Sequence, residues 1–112
     1  MRFMLIVKSD ENTEAEGPMD DAFGEEMGVY NESLRSAGAW ESGEGLQASS
    51  KGARIQFKDG GESTVVNGPF PNPRELIAGH WIIAADSLDE AIAWARKAPF
   101  GEGAEIEVRT LF

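Results

Sequence analysis

His80-Trp81-Ile82-Ile83-Ala84-Ala85 has no polar face beyond His80, and Phe3-Met4-Leu5-Ile6-Val7 is apolar at every position. Neighbouring residues of a strand point to opposite faces. Both segments therefore read as strands that need cover on both sides. A sheet built around them cannot leave one face bare without exposing an apolar patch larger than monomers usually show.

The segments between them supply the rest of the sheet and its helices. After Phe3–Val7, residues 9–17 carry Asp10, Glu11, Glu14, Glu16 and Gly17 and read as an acidic loop. Pro18 suits a first helical position. Met19, Phe23, Met27, Tyr30, Leu34 and Ala37 then recur every three or four residues, predicting one long helical stripe. Asp20, Asp21, Glu25 and Glu26 lie towards its N-terminus, where the helix dipole favours them. Gly38 is a natural stop.

Ala39–Leu46 reads as a short strand interrupted by glycine, and Arg54-Ile55-Gln56-Phe57 as another. Lys58-Asp59-Gly60-Gly61-Glu62 is a hairpin signal, since Asp-Gly and Gly-Gly accept positive φ readily. Ser63–Val66 returns as its partner strand. Asn67-Gly68-Pro69-Phe70-Pro71-Asn72-Pro73 cannot be regular, because three prolines remove three donors. Asn72-Pro73 is read as opening a short turn of helix over Arg74–Ala78. Ser87, with Glu90 three residues on, forms a capping box. Leu88, Ala91, Ile92 and Ala95 give the stripe of a second helix that Pro99 ends. Glu105–Leu111 alternates as the last strand.

The order strand, long helix, strands, helix, strand predicts an α+β fold: a ferredoxin-like sandwich with an inserted β-hairpin. The length of 112 residues fits a single domain over 1–112. Two helices cover one face of such a sheet. The other face is expected to meet a second copy of the chain, or else a lid made of the 9–17 and 67–78 loops.

Composition narrows the function. Ten Lys and Arg against twenty Asp and Glu leave a net charge of −10, which argues against nucleic acid and anionic lipid as partners. An oligomer must therefore hold by apolar contact against its own repulsion. There is no cysteine, so no disulfide, iron–sulfur cluster or thiol nucleophile is expected. No apolar run is long enough for a signal peptide or a membrane span, so the expected location is cytoplasmic. With one histidine, no metal and no cofactor site is expected. A calcium loop beginning at Asp10 fails, because Ala15 and Asp21 stand where glycine and glutamate are needed. Gly43-Glu44-Gly45-Leu46-Gln47-Ala48 matches a dinucleotide fingerprint in form only, since no helix follows it.

The candidate site residues lie on strands and turns. His80 is either a general base or a packed strand histidine. Glu107 and Arg109, two apart, share a face and either bind an anionic ligand or lock an interface. Arg54 could join them. Trp81 lines a cavity or fills the core.

Asn67-Gly68-Pro69-Phe70 completes a wider pattern. It goes with the opening Met1–Lys8, Gly43–Leu46, Ser49–Ala53, Glu75–Gly79, Asp86–Ala91 with Trp94-Ala95, and Glu105–Arg109. Together these resemble the YCII-related family in its Asp-Gly-Pro-Phe (DGPF) branch. The resemblance implies a dimeric α+β barrel made of two ferredoxin-like subunits, with relatives acting on small ring compounds and some members beside sigma-factor proteins. This chain departs from the motif at Asn67, where the family has aspartate. An amide cannot act as a general base, so either His80 takes over the chemistry, or activity is lost, or position 67 is structural. The expected function is a homodimer that binds a small molecule near the dimer face through Asn67, Arg109, Glu107, Trp81 and Arg54. The alternatives are an acid–base enzyme on a ring compound and a non-catalytic partner of sigma-factor-type transcription proteins.

Overall fold

β1 (Arg2–Lys8) runs through the interior of an antiparallel sheet, between β5 (Ile77–Ala84) and β6 (Ile106–Thr110). β2 (Trp40–Gly45) closes the other edge, giving the order β2-β5-β1-β6. β3 (Ala53–Phe57) and β4 (Ser63–Asn67) pair only with each other, as a hairpin inserted between β2 and β5. Without that hairpin the sheet has the ferredoxin-like order. This computed structural model describes residues 1–15, 20–72 and 75–112. Among them no helix is long and apolar enough to cross a membrane.

Register fixes the two faces of the sheet. Phe3, Leu5 and Val7 lie opposite Ile83, Trp81 and Gly79. Leu5 and Val7 lie opposite Val108 and Ile106 on the other side. All of these share one face. Onto it pack α2 (Asp21–Ser36), through Tyr30 and Leu34, and α3 (Leu88–Arg96), through Ala91. Phe3, Leu5, Leu34 and Ile83 are fully buried there. The Trp81 indole N–H donates to Asn31 Oδ1 at 2.8 Å, and the Tyr30 hydroxyl donates to the Trp94 carbonyl at 2.7 Å. Burial pushes the Tyr30 phenol up to about 12.

Met4, Ile6, His80, Ile82 and Ala84 face the other way and stay partly exposed. Both long helices lie on the opposite side, so among the described residues no long helix covers this face.

Local signals set the element ends. Asp20 caps α2 by accepting from the Phe23 N–H at 2.7 Å. Gly38, at φ +72°, turns the chain out of it, and Ala39 N–H returns to the Leu34 carbonyl. Ser87 caps α3 through the Glu90 N–H, while the Glu90 carboxylate reaches back to the Asp86 N–H. Gly60 and Gly61, at φ +81° and +82°, make the hairpin turn.

Several expectations need correction. Residues 11–15 are not a loop but a short helix, α1 (Glu11–Ala15), because Asp10 accepts from the Thr13 N–H at 2.7 Å. That bond, from the Thr13 backbone, holds the Asp10 carboxyl below its usual value. The α3 stripe holds in part: Ala91 and Ala95 face the core as expected, joined by Trp94, while Leu88 and Ile92 are exposed. Ile77 and Ala78 extend β5 instead of continuing a helical turn. The expected helix start at Pro18 with Met19, and the helical turn at Pro73-Arg74, lie outside the described residues.

Candidate functional site

The pocket under the Gly-Pro-Phe turn is built by three segments remote in sequence. Asn67 ends β4 in register with Ala53, and the chain then turns at Gly68-Pro69. Gly68 N–H donates to the Gly52 carbonyl at 3.1 Å. A Cβ at position 68 would lie 1.8 Å from the Ser49 carbonyl oxygen, so no side chain fits there. This close approach brings the Phe70 N–H to Ser49 Oγ at 3.2 Å.

Ser49 opens a 3-10 turn, Ser49–Lys51, whose first amide has no partner within the turn. Glu14 of α1 supplies one. Its Oε2 accepts from the Ser49 N–H and its Oε1 from the Ser49 hydroxyl, each at 2.7 Å. The hydroxyl is thus oriented from both sides, donating to Glu14 and accepting from Phe70.

Arg54 on β3 forms the facing wall. Its guanidinium lies over the Phe70 ring, 3.9 Å from the centroid, and pairs with Glu75 at 3.1 Å. Leu46, Leu76 and Ile77 complete an open pocket of about 210 Å³. The Leu46 N–H bond to the Ala78 carbonyl holds this apolar wall to β5. The arrangement offers a fixed cation, a carboxylate coupled to a hydroxyl, and an apolar surface. That set can hold a small molecule with one polar end.

The residues singled out from sequence fall into three places. Arg54 lines this pocket. Asn67 stands exposed at the end of β4, beside the turn but outside the lining. His80, Glu107 and Arg109 lie together on the open face of the sheet. There Glu44, His80, Ile6 and Glu107 form one row across all four strands. Arg109 pairs with Glu107 at 3.0 Å and lies opposite Met4. His80 and Glu107 are two strand spacings apart, roughly 10 Å. Trp81 joins neither group: it is 3% exposed and packs edge-on against Tyr30 in the core.

Sequence reasoning passed over Glu14, Ser49 and Glu75 as site residues. Glu14 read as one of several solvated carboxylates, and its partner is 35 residues away, so no local spacing marks the pair. Among the described residues, no three His, Asp or Glu side chains gather closely enough to hold a metal ion.

One family model, the YCII-related domain, matches residues 1–112. No curated protein matches the chain.

Proposed function

The chain belongs to the YCII-related family, and we propose that it forms a homodimer and binds a small molecule in the pocket under the Gly-Pro-Phe turn. The observation that carries the binding is the fixing of Arg54 between the Phe70 ring and Glu75, across from the Glu14–Ser49 pair. Such preorganisation lowers the entropy lost when a ligand docks. The apolar wall of Leu46, Leu76 and Ile77 suits the body of a small ring compound. Asn67-Gly68-Pro69-Phe70 supports a place in the DGPF branch. The exposed position of Asn67 supports a turn-forming role for that residue.

The homodimer is supported by the open face of the sheet, where Met4, Ile6 and Ile82 form an apolar strip between charged edges. C2 dimers are the commonest homo-oligomers, and pairing of that kind covers such a face.

A second reading, acid–base catalysis, is favoured by the Glu14–Ser49 contact of 2.7 Å. Glu14 can take a proton where Asn67 cannot.

A thermal-shift screen with small ring acids and their neutral analogues tests the binding. A ligand at a hundred times its Kd stabilises by about 2.7 kcal/mol, which moves the melting temperature by several degrees. Arg54→Ala abolishes that shift and His80→Ala leaves it. Equal shifts in wild type and Arg54→Ala would place the ligand elsewhere.

A further inference from the structure

Charge does not balance in the pocket under the Gly-Pro-Phe turn. Among the described residues its lining carries the carboxylates of Glu14 and Glu75 against the single guanidinium of Arg54. Arg54 and Glu75 pair at 3.1 Å and are neutral together. Glu14 is matched differently. Its Oε2 and Oε1 accept from the Ser49 N–H and hydroxyl, each at 2.7 Å, and both donors are uncharged. Those bonds fix the carboxylate in place and leave its charge uncancelled. An ionised carboxylate has about four acceptor positions, so beyond Ser49 the group has room for a further donor.

This imbalance selects among ligands. A molecule whose only charge is negative gains at Arg54 but meets the Glu14 and Glu75 carboxylates across the same small space. A molecule that also carries a positive group turns the Glu14 contact from repulsive to attractive. A primary ammonium is compact and brings three N–H donors to it. The field of the whole chain, at net −10, acts in the same direction, because it raises the local concentration of cationic groups. The body of the molecule meets Leu46 and Ile77, apolar side chains of the lining that are 56% and 41% exposed.

We infer that the small molecule carries a protonated amine, seated against Glu14, as well as the polar end that faces Arg54. This rests on the binding proposed in the preceding section and adds the chemistry of a second group on the ligand. Ser49 is then a positioning residue, since its N–H and hydroxyl hold the carboxylate that meets the amine.

Calorimetric titration of the full chain with meta- and para-(aminomethyl)benzoate, beside meta- and para-ethylbenzoate, tests it. Within each pair the acid, ring and outline are the same, and an ammonium replaces a methyl. The expected result is that one aminomethyl compound binds tighter than its ethyl partner, by roughly threefold or more. That advantage should shrink in about 1 M salt. In Glu14→Gln it should vanish, with the ethylbenzoates bound as well as before or better. The Gln amide can still accept from the Ser49 N–H and donate to the Ser49 hydroxyl, so the turn keeps its support. Ethylbenzoates that match the aminomethyl compounds in wild type, or an advantage that Glu14→Gln leaves untouched, overturn the amine and leave the pocket standing. Failure of both series to bind overturns the amine and the pocket together.

Discussion

Successive residues of β1 take part in two different surfaces. Phe3, Leu5 and Val7 meet Tyr30, Leu34 and Ala91 from the helices, and Phe3 and Leu5 lose all contact with solvent. Met4 and Ile6, from the same strand and equally apolar, look out over Ile82 and Ala84 and remain partly exposed. On the inner face the edge strand β2 passes close over the core: a Cβ on Gly43 would strike the Trp81 ring at 2.7 Å. The outer face instead ends in charge, with Glu44 at one edge and the Glu107–Arg109 pair at the other. An apolar centre with a polar rim is the anatomy of an interface rather than of a core. In the proposed dimer, side chains of one kind are used twice, once to fold the protomer and once to pair it with a second copy.

The comparison can be broken first on the inner face. Ile83→Ala removes methyls from a fully buried site. Its expected cost is about 2–5 kcal/mol in urea unfolding. A loss no larger than at an exposed position would mean that this face is not the core.

Tyr30→Phe is a smaller change on the same side. It removes the hydrogen bond to the Trp94 carbonyl, which is worth about 1 kcal/mol. It also removes a pH dependence. An unfolded tyrosine ionises near pH 10, whereas this one keeps its proton to about 12. Its stabilisation is therefore full below pH 10 and is lost as the pH rises towards and through 12. Wild-type melting temperatures should fall over that window more steeply than those of Tyr30→Phe. Parallel curves would show that the phenol is not sealed.

On the outer face, Ile82→Glu should change protomer unfolding least, by under about 1 kcal/mol, because strand preferences there are weak. It should nevertheless raise the dimer dissociation constant at least tenfold, by placing a charge at the centre of the contact. An unchanged dissociation constant would remove Ile82 from any interface.

Much of this architecture was legible in the sequence because it is locally encoded. Gly38, Ser87 with Glu90, and Asp59-Gly60-Gly61 act within four residues of themselves, and each sits where its chemistry predicts. The doubly apolar character of Phe3–Val7 and His80–Ala85 was enough to call the sheet and its uncovered side. Long-range register was not legible. Which face Trp81 takes depends on its pairing with Leu5, 76 positions earlier, and that choice separates it from His80. The α3 stripe was legible only in part, at Ala91 and Ala95, for a related reason. Leu88 and Ile92 are more apolar than Ala95, yet it is Ala91, Trp94 and Ala95 that turn towards the sheet. The pocket was the least legible part. Arg54 was singled out without a known facing, whereas Glu14 reaches Ser49 only after the chain has folded, and α1 itself was hidden in an acidic run whose cap, Asp10, looked like one more carboxylate.

Sedimentation velocity of the wild-type chain at micromolar concentration, beside Ile82→Glu, tests most directly whether the outer face of the sheet is an interface. The account predicts a wild-type species of twice the protomer mass that dissociates on dilution, and a variant with unchanged circular dichroism that sediments as a monomer. A wild type that sediments as a monomer throughout the range would contradict it.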